Sequence, residues 1–169
     1  MFTAMGLAAS LAMTPAGASS TQEAAQAVKQ QDGAESYSEA GTAAVQRGDV
    51  VEAARLYRLA ADEGDAKGQL GLGLAYHFGQ GVLQNYAEAV RWYRLAAEQG
   101  NSQAQYNLGR MYHRGLSVPQ NYVQAYKWFN LAAAQGDALA VTNRDQVAAL
   151  MTPAQIAEGQ RLAAEWRPS

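Results

Sequence analysis

The chain has 169 residues, 49% of them hydrophobic and 17% charged, which suits one modest globular domain and excludes wholesale disorder. Its net charge is -2 and its basic residues are scattered from Lys29 to Arg167, so no cationic stripe runs along it to neutralise nucleic-acid phosphates. There are no cysteines, which excludes disulfides, thiolate metal ligands and thiol nucleophiles.

From Met1 to Met13 the sequence is mostly apolar and runs into Thr14, Pro15 and Ala16-Gly17-Ala18, a small-x-small pattern of the kind signal peptidases accept. The run is too short to span a bilayer. Residues 1–18 are therefore read as a signal peptide and the chain as exported, to the bacterial periplasm or beyond. An alanine-rich tail on a cytoplasmic protein is the alternative, because no Lys or Arg precedes the apolar run. Residues 19–34, rich in Gln, Ala and Ser, read as a flexible tether.

From residue 35 onward an internal repeat sets the organisation. RLYRLAADEG at Arg55–Gly64, RWYRLAAEQG at Arg91–Gly100 and KWFNLAAAQG at Lys127–Gly136 are spaced by 36 residues, and residues 65–100 agree with 101–136 at 17 of 36 positions without a gap. The units are 35–64, an irregular first repeat; 65–100, the second; 101–136, the third; and 137–169, a partial repeat with a closing helix.

Each unit resolves into two helices. The second opens on an expected capping box, Asp49 with Glu52, Asn85 with Glu88 and Asn121 with Gln124, and closes at Gly64, Gly100 or Gly136, where a left-handed C-cap is expected. Asp65, Asn101 and Asp137 follow at once as N-caps, and such short corners favour antiparallel neighbours. Ala89, Trp92, Tyr93 and Ala96 fall at i, i+3, i+4 and i+7, and Ala125, Trp128, Phe129 and Ala132 repeat the stripe, which is assigned to the core. In the first helices Leu72, Gly73 and Tyr76 share a face, as do Leu108, Gly109 and Tyr112; with Gly41 the recurring glycine predicts close backbone approach.

Unit one passes from Arg47-Gly48 straight to Asp49, a loop about four residues shorter than Gly79–Asn85 or Gly115–Asn121, as an atypical terminal unit of a solenoid would. At the other end Thr152, Pro153 and Gln155 announce a last helix whose apolar face is Ile156, Gly159, Ala163 and Trp166, read as a cap over the third unit.

The pattern LGLAYHFGQGVLQNYAEAVRWYRLAAEQG resembles the Sel-one-like repeat (SLR), a relative of the tetratricopeptide repeat with a longer internal loop. Residues 65–136 carry two full units; 35–64 match mainly in the second helix. The resemblance implies an all-α, right-handed α-solenoid of helix-turn-helix repeats with a C-terminal capping helix, and an adaptor role. Ser117 stands where the family has the second loop glycine, matched by Gly81, so the third loop is expected to be strained or differently shaped.

No catalytic constellation emerges. His77 and His113 share a register, but stacked repeats would hold them roughly 10 Å apart, too far to share a metal at about 2 Å, and both are read as partly exposed. Trp92 and Trp128 are assigned to packing rather than to a carbohydrate platform. Stepping at about 100° per residue gathers Lys67, Leu70, Leu74 and His77, and one unit on Gln103, Tyr106, Arg110 and His113, opposite the core. First helices line the inner groove in the tetratricopeptide superfamily, so these eight residues are the candidate surface for an extended peptide or partner helix. An ordinary solvated face is the alternative. The expected function is a monomeric, non-catalytic scaffold for a protein or peptide, with no cofactor, metal, nucleic acid or membrane span. A cell-envelope enzyme with a loop site and a structural spacer are the competing readings.

Overall fold

The computed structural model describes residues 36–169. The signal peptide assigned to 1–18 and the tether assigned to 19–34 lie outside the described residues.

Every helix starts where a short polar side chain accepts an orphan backbone N–H of the first turn, at Ser36, Asp49, Asp65, Asn85, Asn101, Asn121, Asp137 and Thr152. The described residues form eight helices and no strand: α1 Tyr37–Gln46, α2 Val50–Asp62, α3 Ala66–Phe78, α4 Tyr86–Glu98, α5 Ser102–Arg114, α6 Tyr122–Ala134, α7 Ala138–Ala148 and α8 Pro153–Glu165. The corners after α2, α4 and α6 turn on Gly64, Gly100 and Gly136 at φ 86, 91 and 94°, the left-handed conformation expected there. The three expected capping boxes form only their N-cap half. Glu52 is held by Arg55 at 2.7 Å and Glu88 accepts from the Trp92 indole N–H at 3.2 Å, so neither reaches back to the cap. Complete boxes form at Ser36/Glu39 and Thr152/Gln155.

Consecutive helices pack in series from α1 to α7, with α1, α3, α5 and α7 as the first helices of the units and α2, α4 and α6 as the second. One contact recurs in every unit. The ring of Tyr57 lies on Gly41, that of Tyr93 on Gly73 and that of Phe129 on Gly109, so closely that a Cβ on the glycine would sit 2.7–2.8 Å from the ring carbons. Around it Ala89, Ala96, Leu72, Leu108, Ala125 and Ala132 are fully buried, the ring-over-small-residue layering that close packing demands.

Polar groups knit one unit to the next. Gln99 Nε2 donates to Gly64 O at 2.9 Å and to Gln69 Oε1 at 2.8 Å; Gln135 repeats this on Gly100 O at 3.0 Å and Gln105 Oε1 at 2.8 Å. Arg94 donates to the Tyr112 hydroxyl at 3.0 Å, and Arg58 does the same to Tyr76. These bonds satisfy carbonyls that a helix end leaves orphaned and fix the register between repeats.

The long loops are locked alike: Gln84 donates to His77 O and Gln120 to His113 O, both at 2.8 Å. Ser117 adopts φ 55°, close to the 73° of Gly81, so the third loop keeps the shape and carries the strain of a non-glycine residue there. Unit one needs only residues 47–49 between its helices, against 79–85 and 115–121, the expected difference of four. At the far end α8 packs on α6, with Gly159 under the Tyr126 ring and Ala163 buried. The tail beyond α8 runs back to α4, where Ser169 N donates to Glu98 O at 2.9 Å.

The ring-on-glycine contact makes a prediction opposite in sign to helix propensity, which favours alanine over glycine by about 1 kcal/mol. Gly109→Ala is expected to destabilise the fold by about 1–3 kcal/mol through overpacking against Phe129. Denaturant unfolding of the variant beside the parent chain measures this, and a gain in stability contradicts the contact.

Candidate functional site

A first helix is buried on two sides: on α3, Gly73 lies against the Tyr93 ring of α4, and Gly68 and Gly71 lie against Ala60 and Tyr57 of α2, so only the strip between these contacts faces outward. On α3 that outward side carries Lys67, exposed, and Leu70 and Leu74, half-buried and packed against the central apolar cluster. On α5 it carries Gln103, exposed, and Tyr106, Arg110 and His113, half-buried. Tyr106 and Arg110 are brought together, the guanidinium carbon 5.7 Å from the ring centre, while the same ring meets Phe129 at 5.8 Å. Such a cation-π contact braces the arginine without neutralising it. His113 leans on the Tyr122 ring at 5.9 Å.

His77 departs from the expected partly exposed position. It is 8% exposed, and its Nδ1 hydrogen-bonds the fully buried Tyr93 hydroxyl at 3.2 Å. The cause is local. His77 lies four residues beyond Gly73, on the side of α3 that meets the Tyr93 ring, and Tyr86 at the start of α4 and Phe78 at the end of α3 close over the imidazole at 5.4 and 4.5 Å. Burial, and then the charges of Arg110 and Arg114, hold the His77 imidazole below its ordinary value, while burial pushes the Tyr93 phenol up. His77 is thus a buried support of the face rather than part of its surface.

Two residues of the face were absent from the sequence-derived set. Phe78, four residues beyond Leu74, is 56% exposed, and Arg114, four beyond Arg110, is exposed. The same 100° stepping that selected Leu74 and Arg110 reaches both, so the signal was present in the sequence.

The face therefore grades from apolar on α3, with Leu70, Leu74 and Phe78, to aromatic and cationic on α5, with Tyr106, Arg110 and Arg114. Among the described residues no carboxylate lies within ion-pair distance of Arg110, Arg114 or Lys67. The described acids that form ion pairs, such as Glu52 and Glu88, are on second helices or on α7 and α8. Such a surface can desolvate an apolar side chain at one end and pair a carboxylate at the other. Among the described residues no group of three His, Asp or Glu side chains is placed to hold a metal ion, and no helix is long and apolar enough to cross a membrane.

A family model described as the Sel1 repeat matches the chain three times, at residues 34–65, 66–101 and 102–137. Among solved structures, the chain is similar to a protective antigen present in uropathogenic Escherichia coli strains that displays an SLR fold. The two are 30% identical with a TM-score of 0.75, over 86% of this chain and 32% of the other. It is also similar to a Sel1 repeat protein from Oxalobacter formigenes, 32% identical with a TM-score of 0.63, over 72% of this chain and 54% of the other. The chain thus spans about a third and about half of the lengths of these two proteins. No curated protein sequence matches it.

The buried His77 gives the fold a pH dependence whose sign is fixed. Its folded value lies below the ordinary 6.5, so the neutral form is the one the folded state favours. The associated stability is complete above the ordinary value and is lost as pH falls through the folded one. Thermal unfolding from pH 7 to pH 5 is expected to show a falling midpoint, and His77→Gln is expected to flatten that fall.

Proposed function

The chain belongs to the Sel1 repeat family, and on that premise we propose that it is a non-catalytic adaptor that holds a protein or peptide segment on the outward face of its first helices. Sel1 repeats are in general protein-interaction scaffolds. The observation that carries the reading is Arg110, which has no acidic partner among the described residues and is braced by Tyr106 on α5, together with the half-buried Leu70 and Leu74 on α3. Groups that are already ordered and partly desolvated lose little freedom when a partner arrives, which is what a binding surface requires. The short array, with two regular units and one shortened one, suits one short segment rather than a large enveloped surface. The apolar run Met1–Met13 and Ala16-Gly17-Ala18 support the further proposal that the adaptor is exported, to the periplasm or outside the cell.

Affinity purification of the tagged full chain from the periplasmic fraction tests both statements. A reproducible partner is expected with the parent chain and its loss with Tyr106→Ser/Arg110→Glu, while Arg91→Glu, on an exposed second-helix position, is expected to keep it. Recovery of the chain from the cytosol alone contradicts the location. A partner retained by the double variant and lost with Arg91→Glu contradicts the binding face.

A further inference from the structure

Where unit one meets unit two, the structure leaves a cavity of about 140 Å³ whose walls include Val45, Val50, Ala54, Gly71, Ala75 and Gln80. The equivalent positions one unit on are His77, Tyr86, Val90, Asn107, Met111 and Leu116, larger at five of the six. There the same space is closed. Met111 is fully buried, Val90 nearly so, and Tyr86 and Leu116 pack onto the central cluster. The cavity is therefore written into small residues of units one and two and is no general property of the repeat.

It also opens onto the face already described. Val45, 46% exposed, and the exposed Gln80 mark its mouth, and Leu74 forms part of its wall. Arg110 occupies the Leu74 register on α5, with Arg114 one turn further; both lie near enough to His77 for their charges to act on it, and neither has an acidic partner among the described residues. The lining is mostly apolar, and an enclosed apolar cavity of about 150 Å³ accepts a benzene-sized guest, so a space of this volume can seat one bulky apolar side chain.

We propose that the cavity and the Arg110/Arg114 pair form one recognition unit for an extended peptide, which seats a Leu- or Phe-sized side chain in the cavity and a carboxylate at the arginines. Neighbouring helices lie about 8–10 Å apart and an extended chain advances about 3.3 Å per residue, so the two side chains are about three residues apart. This rests on the reading that the first-helix face binds the partner.

Selection from a random peptide-display library on the full chain, followed by calorimetry with the selected synthetic peptides, tests it. The selected peptides are expected to share a bulky apolar residue two to four positions from Asp or Glu. Ala75→Met, which copies the chain's own Met111, is expected to weaken them by about tenfold or more without lowering the unfolding midpoint. Should that variant unfold, Val45→Phe at the mouth carries the same expectation. Arg110→Gln/Arg114→Gln is expected to weaken them as well and to flatten the salt dependence. Peptides sensitive to the arginine variant but indifferent to Ala75→Met and Val45→Phe overturn the cavity and leave the binding face standing. Peptides indifferent to all variants, or a selection that yields none, overturn both.

Discussion

Everything in this fold hangs on an aromatic ring laid against a helix glycine. Tyr57 on Gly41, Tyr93 on Gly73 and Phe129 on Gly109 set how near the two helices of a unit lie and how each is rotated about its axis. With the glycine edge committed to the ring, the rest follows. Alanines fill the layers between rings, and Leu72 and Leu108 close the core. The capping helix obeys the same constraint in a new register, with Gly159 beneath Tyr126 where units two and one carry Val90 and Ala54. A glycine in mid-helix costs stability when viewed alone, and here that cost is offset by the dispersion contacts that only a bare backbone allows.

Because the frame is fixed, the units are free to differ where they do not touch it. The outward register reads Leu74 on α3 and Arg110 on α5, and the space beneath it is open at the first junction and filled by Met111 at the second. Small changes of side-chain size on a constant backbone thus produce an apolar recess beside a cationic patch. Strain is tolerated for the same reason: Ser117 adopts φ 55° in a loop closed by Gln120 and Asn121, which donate back to the carbonyls of His113 and Tyr112 at the end of α5. Paired tryptophans show the effect of one substitution. Trp92 donates its indole N–H to Glu88, whereas Trp128, with Gln124 in the corresponding place, buries an indole N–H that has no hydrogen-bond partner among the described residues.

Helix number, corners and the core stripe were legible because they depend on local rules: N-caps, left-handed glycines and a 3.6-residue period repeated three times. The recurrence of Gly73 and Gly109 even announced the close approach, although not that a ring makes it. What local rules miss is competition and tertiary cover. Glu52 and Glu88 had the right spacing for a capping box, but Arg55 and the Trp92 indole offered stronger or nearer partners. His77 was grouped with Leu74, yet it also stands four residues beyond Gly73 and turns to the Tyr93 ring, where Tyr86 and Phe78 cover it. The Gln99 and Gln135 bridges span 35 and 30 residues, beyond any helical period. The cavity arises from atoms that are missing, and only comparing unit with unit brings those to notice.

The proposed binding face lies on the first helices, while the second helices build the frame. Site-specific photo-crosslinking reads that division directly, with a photoreactive residue placed in the full chain at Lys67 or Gln103 on the proposed face, or at Arg91 or Arg94 on the exposed side of α4. A defined adduct is expected from Lys67 and Gln103 and none from Arg91 and Arg94. Adducts from the α4 positions alone would contradict the proposed face.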